Sequence, residues 1–112
     1  MIYHVVPLDD WLLAPDRPYA PASLAEEGFV HCSPDEEAAL AVADERFRDR
    51  VGPLMVLLID EHELTSRLVW EEAADGRSYP HVYGRINRSA VTGMLEVERD
   101  AEGRAHTMRA WS

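Results

Sequence analysis

Residues Leu54-Met55-Val56-Leu57-Leu58-Ile59 form an unbroken apolar run in the middle of a 112-residue chain. A run of this length is expected for a central strand buried on both faces. It is far too short to span a bilayer, which takes about 20 residues of helix. The segments around it alternate between strand and helix signals. Ile2 to Val6 reads as a first strand, with Ile2, His4 and Val6 on one face. Asp9 is placed to cap a short helix through Trp11, Leu12 and Leu13 that stops near Pro15. Ser23-Leu24-Ala25-Glu26 has the pattern of a capping box opening a single turn, and Gly28 ends it. Phe29 to Cys32 reads as a second strand. Ser33-Pro34-Asp35-Glu36 offers a Ser cap, Pro at the first helical position and a closing Glu. The helix it opens is expected to reach about Arg50, with Leu40, Ala43, Phe47 and Val51 as its apolar stripe.

Beyond the central run, Leu68 to Glu71 reads as a short strand and Asp75-Gly76 as a turn. Gly93 to Arg99 and Arg104 to Ala110 form a hairpin around Asp100-Ala101-Glu102-Gly103. There is no repeat, linker or low-complexity segment. The order of elements predicts one α+β domain over residues 1–112, with one sheet and one long helix.

Composition narrows the function. The net charge is -10, and an acidic surface repels nucleic-acid phosphates and anionic membranes. Neither is expected as a partner. All 11 basic residues are Arg. The absence of Lys excludes Schiff-base chemistry and a P-loop, although biased codon usage explains it more simply. Cys32 is the sole cysteine, which fits a reducing compartment. The N-terminus lacks the basic and apolar segments of a signal peptide. A cytoplasmic protein is expected.

Three histidines carry the functional signal: His4 in Ile2-Tyr3-His4-Val5-Val6, His31 in Phe29-Val30-His31-Cys32, and His81 in Tyr79-Pro80-His81-Val82-Tyr83. An imidazole in an apolar strand must find a hydrogen-bond partner. Each could be a buried histidine satisfied by a backbone carbonyl. Together they predict one shared cavity. No His-x-x-His or Cys-x-x-Cys spacing points to a metal site. Ser33 reads first as the helix cap and second as a ligand contact. A helix N-terminus binds anions, but Asp35, Glu36 and Glu37 there would repel phosphate. Cys32, facing away from His31, reads as a buried structural thiol. Trp70, Tyr79 and Tyr83 form an aromatic stretch suited to a ring-binding pocket, or equally to a core edge. Glu71 is the carboxylate expected nearest the histidines.

Several of these segments together resemble a known family. They are Ile2-Tyr3-His4-Val5-Val6, Trp11, Tyr19-Ala20-Pro21-Ala22-Ser23-Leu24, Glu27-Gly28-Phe29-Val30-His31-Cys32-Ser33, Val69-Trp70-Glu71 and Pro80-His81-Val82-Tyr83-Gly84. The chain is similar, over roughly residues 2–92, to the small bacterial proteins classed as domain of unknown function 952. Some members carry the label glutathione S-transferase, which needs two domains that 112 residues cannot supply. The family fold resembles the ADP-ribosyltransferase superfamily, whose enzymes bind NAD in a cleft of a split sheet. The resemblance therefore implies an ADP-ribosyltransferase-like split sheet with one long helix, and NAD or a related nucleotide as substrate. It implies that His4 takes the first-strand position, His31 or Ser33 the second, and Glu71 the third. Glu96 and Glu98 form a Glu-x-Glu pair outside the matched stretch. In that reading His4, His31 and Glu71 are catalytic. Ser33, Trp70, Tyr79, His81, Tyr83 and Arg85 bind the ligand, with Arg77 a second basic group near His81. The alternative is a non-catalytic binding module for another small molecule or a protein partner.

Overall fold

The computed structural model describes residues 1–111. Seven strands form two antiparallel sheets. The larger has the order β1 (Ile2–Pro7), β3 (Leu54–Ile59), β6 (Val91–Arg99), β7 (Ala105–Ala110), and the smaller has β2 (Val30–His31), β5 (Ser78–Tyr83), β4 (Arg67–Glu72). Element order alone predicts one sheet. Two appear because β2 pairs with β5 rather than with β1. The three α-helices are α1 (Leu8–Leu12), α2 (Ala22–Glu27) and α3 (Glu36–Arg46). None is long and apolar enough to cross a membrane.

β3 lies between β1 and β6, and its alternating side chains enter two different cores. Met55, Leu57 and Ile59 pack with Ile2, Val30 and Val82, drawing both sheets onto one core. Leu54 and Val56 pack on the opposite face with Val5, Ala39 and Ala43, where α3 covers the larger sheet. Burying each such aliphatic side chain is worth about 1.5–3 kcal/mol. This two-sided burial is why the run carries no polar interruption.

The sheets are stitched by one bridge that places the candidate site. Ser33 N–H donates to Tyr3 C=O at 2.6 Å, and Tyr3 N–H donates to Ser33 C=O at 2.9 Å. This brings the end of β2 beside β1. It also corrects the expected cap of α3. The bridge holds the Ser33 backbone beside β1, the helix starts only at Glu36, and the cap is Asp35, whose carboxylate accepts from Ala38 N–H at 2.8 Å. Asp35→Ala should cost about 1 kcal/mol in urea denaturation, whereas Ser33→Ala should leave the cap intact.

α3 is shorter than its sequence pattern predicts. It ends at Arg46, and Phe47 leaves the helical region. Val51 is therefore not part of the apolar stripe and is 90% exposed. Two other expected caps are also corrected. Asp9 lies inside α1 and Ser23 inside α2, and each helix follows a proline without a side-chain cap. Gly28 ends α2 as expected, at φ 85°, where only glycine is unstrained.

Candidate functional site

The centre of the site is His4 on β1. The side chain is only 7% exposed. Its Nδ1 lies 2.6 Å from the His31 carbonyl oxygen. A carbonyl only accepts, so Nδ1 carries the proton and donates. In the neutral ring Nε2 is then an acceptor. Nε2 is buried and has no hydrogen-bond partner among the described residues. Burial pushes the His4 pKa down to about 4, more than the bond to the His31 carbonyl raises it. The ring is thus neutral at physiological pH, with an unused lone pair.

His4 lines an inner cavity of about 200 Å³ together with Tyr19, His31, Ser33, Arg46, Arg50 and Asp10. The Tyr19 ring centroid is 5.9 Å from that of His4. Arg50 pairs with Asp10 at 3.2 Å. Arg46, in the last turn of α3, has no ion-pair partner among the described residues. The cavity is therefore walled by a neutral imidazole, an aromatic ring and a guanidinium without an ion-pair partner among the described residues.

An outer cavity of about 460 Å³ shares His31, Ser33, Val42 and Arg46 with the inner one. His31 and His81 are direct partners in the β2–β5 register, so their rings share one face of the smaller sheet. The centroids are 5.2 Å apart at 81°. Phe29 stacks on His81 at 4.2 Å. Each imidazole meets a carboxylate: His31 Nε2 bonds Glu27 at 2.6 Å, and His81 Nδ1 bonds Glu71 at 2.8 Å. Glu71 also accepts from the Tyr83 hydroxyl. That bond, followed by the one from His81, holds the Glu71 pKa below the usual carboxylate range. The His31 pKa is lowered, chiefly by burial, with Glu27 opposing.

The expected single cavity of three histidines is thus two compartments joined at His31. Tyr79 lines the outer one and donates its hydroxyl to Asp75 at 2.7 Å. Glu71 and Tyr83 stand beside His81 but line neither compartment. Trp70 pairs with Pro80 in the β4–β5 register, on the strand face opposite Glu71, and lines neither cavity. The side chain of Arg85 is exposed and lines neither. Arg77 lines the outer cavity but pairs with Asp35 at 3.5 Å. Glu96 is bound by Arg109 at 3.0 Å and lines neither.

Sequence reading missed Tyr19, Arg46 and Arg50. A signal existed for the arginines, since Val42, Arg46 and Arg50 recur every four residues and so share one flank of a helical path. Tyr19 lies in a loop with no periodicity, and its backbone pairs with Ile86, far along the chain. Cys32 packs in the core between the sheets and also borders the outer compartment. Burial pushes its thiol up to about 12. Native protein should therefore react with a thiol reagent far more slowly than urea-unfolded protein, and equal rates would restore a nucleophilic role.

These features define a small α+β protein with a two-compartment cleft where its two sheets meet. The chain belongs to the family described as protein of unknown function (DUF952), whose model matches residues 5–94. It is similar to protein CC0527 from Caulobacter crescentus. The crystal structure of that protein shares 28% identity, with a TM-score of 0.81 over 94% of this chain and 92% of that one. A double mutant of the same protein gives 27% identity and the same TM-score and coverage. Its solution NMR structure gives 30% identity and a TM-score of 0.71, over 91% and 88% of the two chains. No curated protein matches the chain.

Proposed function

We propose that this protein binds a small molecule of the nucleotide class, NAD or one of its fragments, across the two compartments. The observation that carries the reading is the buried, unpartnered Nε2 of His4. A buried acceptor without a donor costs about 1–3 kcal/mol, and a ligand hydroxyl or amide N–H would recover that. Ribose hydroxyls and the nicotinamide carboxamide both supply such donors. Tyr19 offers an aromatic face to a ring, and Arg46 a charge-assisted contact to a phosphate. Glu37, Glu45 and Asp75 line the outer compartment and disfavour a second negative charge there. The reading therefore favours a fragment with one phosphate, or none, over an intact pyrophosphate. Glu71, the carboxylate on which an ADP-ribosyltransferase-like reaction would depend, lies outside both compartments. This supports binding rather than transfer. The acidic surface and the reduced Cys32 suit a cytoplasmic small-molecule binder.

Titration calorimetry with NAD, ADP-ribose, nicotinamide and AMP tests the reading. At least one should bind at millimolar concentration or below. Removing one hydrogen bond to a buried acceptor is worth roughly tenfold in affinity, so His4→Leu should lose about that much. Arg46→Ala should weaken only the phosphate-bearing ligands, and Arg85→Ala should change nothing. Absence of heat and of saturation-transfer NMR contact with all four would reject the nucleotide class.

A further inference from the structure

The imidazole nitrogens of His31 and His81 are not used in binding at His4. The two rings stand side by side on one wall of the outer compartment, and each gives one ring nitrogen to a carboxylate. A carboxylate on one nitrogen fixes ring orientation and leaves the other nitrogen for proton transfer. Here that leaves Nδ1 of His31 and Nε2 of His81. The rings meet edge to face at 5.2 Å, and their side-chain hydrogen bonds among the described residues go to the two carboxylates. Arg46, shared by both compartments, has no ion-pair partner among the described residues.

We propose that His31 and His81 are the base and acid of a site that hydrolyses a phosphodiester anchored by Arg46. The site accounts for this class in three ways. First, displacement at phosphorus by water needs a base for the attacking water and an acid for the leaving oxygen, and two adjacent imidazoles on one wall supply one group for each. Second, the outer compartment carries Glu37, Glu45 and Asp75, so it suits a diester with one charge better than a monoester or pyrophosphate with more. Third, acyl transfer would need an accessible nucleophile, and Cys32 and Ser33, the thiol and serine residues along this compartment, are both buried.

The step balances with water as the other reactant. His31 Nδ1 takes a proton as the water oxygen bonds to phosphorus. The bond from phosphorus to the leaving oxygen breaks, and protonated His81 gives that oxygen its proton. The products are a phosphomonoester and an alcohol. The proton gained by His31 and lost by His81 returns through solvent. Glu71, held by Tyr83, supports the His81 imidazolium, and Glu27 stabilises the His31 imidazolium as it forms. Glu71 is thus a positioning residue. The groups that set the pH response are Glu27 on α2, Arg46 on α3, Glu71 on β4 and the two histidines themselves.

The inference rests on the nucleotide reading only for the choice of probe, so two probes separate them. Full-length protein is assayed with 2′,3′-cyclic AMP and with bis(p-nitrophenyl) phosphate, and binding of the cyclic nucleotide is followed separately by NMR. Both probes should turn over, with a bell-shaped pH dependence of kcat/KM. His31→Asn and His81→Asn should each lower kcat/KM by about 100-fold or more. Glu71→Gln should lower kcat, leave KM unchanged and move one limb of the pH profile, which a merely structural carboxylate would not. Arg46→Ala should raise KM. Unchanged melting curves would show that each variant folds. If an Asn variant does not fold, Glu27→Gln together with Glu71→Gln makes the same prediction for kcat. 2′,3′-Cyclic AMP that binds through His4 without being hydrolysed would overturn this inference and leave the binding reading standing. Turnover of bis(p-nitrophenyl) phosphate without nucleotide binding would do the reverse. Turnover that survives both histidine changes would also overturn it.

Discussion

Lowering the pH from about 7 to about 4 should cost this protein about 3 kcal/mol more stability than it costs a His4→Gln variant. The His4 pKa falls from an ordinary 6.5 to about 4 in the folded chain. Between those values the unfolded chain binds a proton at this position and the folded chain does not. Acid therefore favours unfolding, beginning as the pH drops below about 6.5 and saturating below about 4. Above 6.5 the ring is neutral in both states and contributes nothing to the pH dependence. Gln at this position keeps a donor for the His31 carbonyl and does not titrate. The acid lability of Asp44, Glu71 and Asp75, whose pKa values are lowered by hydrogen bonds, is common to both proteins and cancels. Urea denaturation of the pair at several pH values reads the difference. Parallel curves would mean that His4 is not held neutral by burial.

Arg88→Ala should lower stability by about 2–4 kcal/mol. The Arg88 guanidinium donates to the carbonyls of Trp11, Ala14 and Arg17 at 3.0, 2.9 and 2.7 Å. It also lies 4.0 Å from the centroid of the Trp11 ring. One planar fork thus fixes the chain from α1 to Tyr19. Lys should not rescue the loss, because an ammonium cannot span three carbonyls and stack on indole at once. Ligand affinity should fall with stability, because Tyr19 walls the inner cavity and packs against Trp11 at 5.5 Å. Denaturation and ligand titration of the Ala and Lys variants check both effects. Full rescue by Lys would show that only the charge matters.

What the sequence revealed depended on how local each determinant is. The run Leu54–Ile59 matches β3 residue for residue, because two-sided burial writes an uninterrupted apolar signal. The last hairpin was legible for a similar reason, since its turn residues Asp100 and Gly103 bond each other. Ser33 misled because a capping pattern is local, while the bridge to Tyr3 that occupies Ser33 spans 30 residues and leaves no mark in the sequence. Val51 misled because helical spacing continues past Arg46, whereas Arg99 takes the carbonyls of Phe47, Arg50 and Gly52 and holds that segment out of the helix. At the site, the three histidines were legible as polar interruptions of apolar strands. Their division into two compartments was not, because it depends on which strand β2 joins. Trp70 and Arg85 sit close in sequence to the site, but strand alternation and a turn carry them away from it.

The central claim is that His4 Nε2 is an acceptor waiting for a ligand, and nitrogen-15 NMR of the histidine rings tests it most directly. In the free protein at neutral pH, Nδ1 of His4 should be protonated and Nε2 unprotonated. Titration with AMP or nicotinamide should shift the Nε2 resonance in the direction of an accepted hydrogen bond, with Nδ1 nearly still. A free protein in which Nε2 already carries the proton would contradict the account, as would a His4 Nε2 resonance unmoved by a ligand that calorimetry shows to be bound.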